Sequence, residues 1–173
     1  MPFTARWVRH VSAVLILAVA VTAIVPATAS ARVVESKKYG VWTFQHFIGD
    51  IEWCGVKTNW PDSDMVLTIR LRRKRLDFIF FNSKWNLKRR KKFRDTVFEF
   101  GRYSFYAETE TLKSNKAIFG TFRDQISKFV NRFKRARNMR IRLPTKQSIG
   151  VNLKGSSRAM NAAIRCWDRR LNY

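Results

Sequence analysis

Apolar and polar positions alternate along much of the chain between residues 39 and 153. In "MVLTIRLRR" the residues Leu67, Ile69 and Leu71 alternate with Thr68, Arg70 and Arg72, the period of two expected of a strand with one wet face. "RLDFIFFN" follows and is apolar on both faces, with Leu76, Phe78 and Phe80 on one side and Ile79 and Phe81 on the other, so it reads as a central strand. The polar "RRKR" between the two runs predicts a tight turn and an antiparallel hairpin. Further on, "DTVFEF" and "YSFYAETETL" turn around Gly101, "KSNK" leads into "AIFGTF", and "MRIRL" and "IGVNL" flank "PTKQ" as a last hairpin.

Two late segments change to a period near 3.6. In "TFRDQISKFVNRFKRAR" the residues Phe122, Ile126, Phe129, Val130 and Phe133 share a stripe, with Lys128, Arg132, Lys134 and Arg135 on the cationic back and Thr121 with Asp124 as a capping signal. The closing "GSSRAMNAAIRCWDRRL" predicts a second helix capped by Ser156 or Ser157, its inward stripe formed by Met160, Ala163, Ile164 and Trp167. Together these elements predict one α+β domain over residues 32–173: a mainly antiparallel sheet of about seven or more strands followed by two helices.

Residues 1–31 have a different character. Arg6 and Arg9 precede an apolar run over 11–25, then Pro26 and the small residues that lead to Ala29 and Ala31, the three parts of a secretory signal peptide, cut here after Ala31. The run is shorter than the roughly 18 to 20 residues of a membrane span, and no later segment is long enough. The expected protein is therefore periplasmic or secreted, with no transmembrane segment. In an oxidising compartment the two cysteines, Cys54 and Cys166, most simply form one disulfide. It would tie the last helix to the sheet and stabilise the fold by about 4 to 5 kcal/mol on the chain-entropy account. A zinc site would need more ligands than His46, the one histidine beyond the leader, and no metal or cofactor is expected.

Charge adds the functional expectation. Of 35 Lys and Arg, two lie in the leader, which leaves 33 against 12 Asp and Glu and a net charge of +21. Arg70, Arg72, Arg73, Lys74 and Arg75 mark one hairpin tip. Lys88, Arg89, Arg90, Lys91, Lys92 and Arg94 mark the next connection, which in an up-and-down sheet lies at the opposite end. A third group, Lys128 to Arg142 with Arg132, Lys134 and Arg135 among it, follows the first helix and the strand after it, and Arg158, Arg165, Arg169 and Arg170 decorate the second helix. Any one group reads plainly as solvated surface. Four together form a shell that attracts polyanions with strong salt dependence.

The ligands available outside the cytosol are lipopolysaccharide phosphates, phospholipid head groups, acidic polysaccharide and nucleic acid. A basic run such as residues 88–94 also matches a nuclear-localisation pattern, which export excludes. Trp53, Trp60 and Trp85 are candidates for stacking on bases or sugars, with core packing as the alternative.

Catalytic constellations are sparse. "HFIGDIE" brings His46, Asp50 and Glu52 close in sequence, and "ETE" sets Glu108 and Glu110 on one strand face, as a wet face also would. "KGSSRA" lacks a nucleophile elbow, and there is no glycine-rich phosphate loop. A non-enzymatic binding protein is expected. The alternatives are a secreted hydrolase or toxin acting on nucleic acid or peptidoglycan, and a periplasmic protein-interaction module.

The whole pattern, from "VWTF" and "IEWCGV" through "FNSKWNL" to "VNLKGSSRAMNAAIRC", resembles small periplasmic proteins of alphaproteobacteria, some related to the invasion-associated locus B type. The resemblance spans roughly residues 40 to 168. It implies an envelope protein with a sheet-rich domain, an intramolecular disulfide and a part in host interaction. It implies no catalytic residue.

Overall fold

A computed structural model describes residues 31–72, 75–88, 92–112, 116–122 and 124–170, with the side chains of residues 93–95 and 170 outside that description. Thirty residues of the expected leader therefore lie outside it, as do Arg73, Lys74, Arg89, Arg90 and Lys91 and the side chain of Arg94.

The strands are β1 (Arg32–Tyr39), β2 (Trp42–Ile48), β3 (Trp53–Trp60), β4 (Met65–Arg72), β5 (Arg75–Asn82), β6 (Lys92–Phe100), β7 (Tyr103–Thr111), β8 (Ala117–Phe122), β9 (Asn138–Arg142) and β10 (Ser148–Asn152). Helix α1 (Ile126–Arg135) separates β8 from β9, and α2 (Ser156–Arg170) closes the chain. The strands make one ten-stranded sheet in the order β1-β2-β3-β4-β5-β8-β7-β6-β9-β10. Every pairing is antiparallel. The α+β class, the late helices and the tie between the last helix and the sheet are as the sequence predicts. Among the described residues no helix is long and apolar enough to cross a membrane.

The strand order departs from a simple up-and-down succession. After β5 the chain crosses over, runs β6-β7-β8 as a meander, and brings β8 back beside β5. Gly120 of β8 lies opposite Phe78, and a Cβ there would fall 2.1 Å from the Phe78 ring. Any side chain at this position would have to displace the Phe78 ring. Strand β6 also begins at Lys92, so the cationic run is a connection only in its first part and enters the sheet at its end.

Alternation sets the core. Met65, Leu67, Ile69 and Leu71 of β4 and Leu76, Phe78 and Phe80 of β5 are all buried on one face. The other face of β5 is no second core: Phe81 is exposed and Asp77 is fully buried among arginines. Phe98 packs edge-on against Phe78 at 4.8 Å, and α1 adds Phe129 and Phe133 to the same core, Phe129 against Phe98 at 5.5 Å. Edge-to-face aromatic pairs of this kind add about 0.5–1.5 kcal/mol beyond the area they bury.

Both helix starts differ from the expectation. Thr121 belongs to β8, and α1 begins after Gln125, which is left-handed and makes no side-chain cap bond. Helix α2 takes its first bond at the Gly155 carbonyl, from Ala159 at 3.1 Å. The Ser156 hydroxyl instead donates to the Phe133 carbonyl at 2.8 Å, joining the start of α2 to the last turns of α1. The inward stripe of α2 is also turned: Ala159, Met160, Ala163 and Cys166 are buried, while Ile164 and Trp167 are half-buried at its edge.

Cys54 and Cys166 form a disulfide across 112 residues, with their Cα atoms 6.0 Å apart. The two ends of the sheet also approach one another. The Trp42 indole donates to the Asn152 carbonyl at 3.0 Å, and a Cβ on Gly155 would meet the Tyr39 carbonyl oxygen at 2.0 Å. Gly155 has φ +92°, so both the conformation and the space require glycine.

Candidate functional site

The cationic residues divide by their place in the fold. On the outer face of β4 and β5, Asp77 faces Arg70 across the ladder, as Arg72 faces Arg75. All three arginines converge on the Asp77 carboxylate, at 3.5 Å from Arg70, 3.3 Å from Arg72 and 3.3 Å from Arg75. Asp77 is wholly buried, so what the surface presents is three guanidiniums over one hidden carboxylate. Burial pushes the Arg70 pKa down, and Asp77 opposes that shift; Arg72 and Arg75 add to it. The Arg70 guanidinium also lies 5.9 Å from the rings of both Trp53 and Phe119.

Helix α1 carries the second group and has a cleft on each flank. One lies between the β4–β5 tip and the two helices, with a volume of about 610 Å³. Its apolar wall comes from Leu71, from Ile126 and Val130 of α1, and from Ile164 and Trp167 of α2; Arg72, Arg75 and Lys134 are its cations. Ile126, Val130 and Lys134 recur every four residues, so one stripe of α1 passes from apolar to cationic along this cleft. Phe129 and Phe133, a step round the helix, go to the core.

The other flank opens onto β7 through a cleft of about 530 Å³ that includes Tyr103, Lys128, Arg132 and Arg135. The Arg132 guanidinium lies over the Tyr103 ring, 3.4 Å from its centroid, and Arg102 donates to the phenol oxygen at 3.2 Å. These neighbours, the Arg102 hydrogen bond first and the Arg132 charge second, hold the Tyr103 pKa below its ordinary value.

Arg72, Arg75 and Lys134 are thus brought together from separate parts of the sequence, and Arg132 and Arg135 stand on the adjoining flank. Arg70 belongs to the same group through Asp77. Lys88 and Lys92 do not join it; both are exposed, in and after the connection that leaves the far end of β5. The Lys88 carbonyl accepts a 2.6 Å bond from Thr111, which fixes where that connection meets β7.

The tryptophan candidates separate in the same way. Trp53 is buried to 9 % exposure, stacks on Phe47 at 5.4 Å and lies under Arg70. Trp85 is part of the core, and Trp60 is half-buried where β3 ends. Sequence reasoning missed Tyr103, Ile164 and Trp167 as cleft residues. Tyr103 carried a signal in its neighbour Arg102, whereas the two α2 residues read as core.

The acidic and histidine candidates are placed as follows. His46 is buried, and its Nε2 lies 2.6 Å from Glu52 Oε1. Its ligating nitrogen and the sulfurs of Cys54 and Cys166 lie within 4.8 Å of one another. Both sulfurs are joined in the disulfide, so this trio offers no thiolate to a metal ion. Glu108 and Glu110 are both exposed on β7; Glu108 lines a cleft with Asp124, and Glu110 stands opposite Lys92.

No protein-family model matches the chain, and no curated protein sequence matches it. Among solved structures the fold is similar to that of invasion associated protein B from Bartonella henselae, with a TM-score of 0.53 and 14% sequence identity. The match covers 78% of this chain and 98% of that one. At this identity the likeness is one of fold alone.

Proposed function

We propose that the protein is an exported, non-enzymatic envelope protein that binds anionic polymers or surfaces through its basic shell. The alphaproteobacterial periplasm, or the space beyond it, is the compartment this reading assigns, with residues 1–31 as its cleaved leader. The observation that carries it is the meeting of Arg72, Arg75 and Lys134 around one cleft of α1, with Lys128, Arg132 and Arg135 on the other flank. An oxidised pair of cysteines agrees with export. Phosphate, sulfate and carboxylate groups are the natural counterparts of clustered guanidiniums, which match them in forked, paired hydrogen bonds.

Retention on heparin and on lipopolysaccharide resin, at two salt concentrations, tests the reading. A variant with Lys128, Arg132, Lys134 and Arg135 all changed to Gln is expected to elute at markedly lower salt than the parent. Elution of the two proteins at the same salt would remove α1 from the binding face.

A further inference from the structure

We propose that the 610 Å³ cleft between the β4–β5 tip and the two helices holds one alkyl chain ending in a phosphate group, a lipid-like anionic amphiphile taken up as a single molecule. This rests on the anion-binding reading and narrows it to a ligand class for one cleft. The cleft joins two kinds of surface that a plain polyanion site would not need together. Its apolar wall comes from three elements: Leu71 at the end of β4, Ile126 and Val130 on α1, and Ile164 and Trp167 on α2. The α1 and α2 members are half-buried, so they remain within reach of a ligand after the core is complete.

At the edge of this wall stand Arg72, Arg75 and Lys134. Asp77, the acid nearest to the two arginines, is fully buried beneath them, so their charge faces outward. Each guanidinium carries five donors, more than one carboxylate takes up, so a phosphate can be held while Asp77 keeps its contacts. The volume lies within the roughly 300–1,000 Å³ of small-molecule sites, and an apolar wall with a few convergent polar groups is their usual construction. A second copy of this chain is a poor occupant, because two surfaces of such positive charge repel.

Calorimetric titration of the protein with octyl phosphate and decyl phosphate, each below its micellar concentration, tests the assignment beside decyl maltoside and inorganic phosphate. The expected result is one-to-one binding that tightens about two- to fourfold per added methylene. Inorganic phosphate and decyl maltoside should each bind at least about tenfold more weakly than decyl phosphate, each lacking one of the two groups. Lys134→Gln should weaken both alkyl phosphates by a similar factor, and Val130→Ser with Ile164→Ser should flatten the chain-length dependence. Should the double variant fail to fold by circular dichroism, the ligand series on the unaltered protein decides alone.

Equal affinity for the two chain lengths, or for decyl maltoside and decyl phosphate, overturns the proposal. Retention on heparin without alkyl phosphate binding removes this ligand class and leaves the polymer reading standing. Alkyl phosphate binding without heparin retention does the reverse, and loss of both ends both.

Discussion

Asp77 shows how much a single residue organises on the arginine-bearing face of β4 and β5. It is fully buried and is approached by three guanidiniums whose side chains are 15%, 23% and 35% exposed. Removing it leaves like charges crowded together with no counterion. Asp77→Ala is therefore expected to lower stability by about 2 to 4 kcal/mol, read by urea denaturation; a change below about 0.5 kcal/mol would show the cluster to be indifferent to its acid. Tyr103 gives a test at the same scale. Its phenol ionises below its ordinary value because Arg102 and Arg132 favour the phenolate. The stabilisation this brings is complete above the unfolded value and is lost as pH falls through the lower folded one. Titration followed at 295 nm should find one tyrosine ionising early, and Arg132→Gln should move it back toward the others. The sequence places Arg70 and Arg72 on the wet face of an alternating strand, but the apolar reading of the next run passes over Asp77. Which cations share one acid depends on strand register, and register is a long-range property.

At the scale of elements, the sequence is most legible where one face is buried and the other wet. Strands β4, β7 and β9 alternate cleanly between buried and accessible positions, and their hairpins follow. Strand β1 carries no such signal, since seven of its eight residues are exposed and only its pairing with β2 makes it a strand. Strand β3 hides its period for the opposite reason: its first four residues are all buried, Gly55 among them, where a Cβ would fall 2.3 Å from the Ile69 carbonyl oxygen. The helix caps misled because Ser156 had a better partner. Its hydroxyl satisfies the Phe133 carbonyl, one of the acceptors a helix C-terminus leaves over. Ser156→Ala should lower stability by about 1 to 2 kcal/mol through that buried acceptor, whereas loss of an ordinary cap would leave α1 untouched. Amide exchange that quickens in the last turn of α1 as well as in α2 would confirm the link, and unchanged exchange there would contradict it.

At the scale of the whole molecule, one covalent bond and one glycine contact tie α2 and its start to the first strands of the sheet. The disulfide closes a loop of 112 residues, and its loss in Cys54→Ser with Cys166→Ser should lower stability by about 4 to 5 kcal/mol. A shift under about 1 kcal/mol would mean that the reduced chain is already held compact. Gly155→Ala should cost about 2 kcal/mol or more, because the added carbon meets the Tyr39 carbonyl at the junction of α2 with the β1–β2 turn. The clefts beside α1 belong to this scale too. Each is built from segments distant in sequence, so the charge runs announced that there would be cationic surface while the crossover after β5 and the seating of both helices decided which cations meet.

The central claim is that this surface captures anionic polymers by charge, and its most direct test is the dissociation constant for heparin measured across a range of salt concentrations. The logarithm of the affinity should fall linearly with the logarithm of salt concentration. The slope should become shallower by a few units when Lys128, Arg132, Lys134 and Arg135 are changed to Gln together. An affinity independent of salt, or an unchanged slope in that variant, would contradict it.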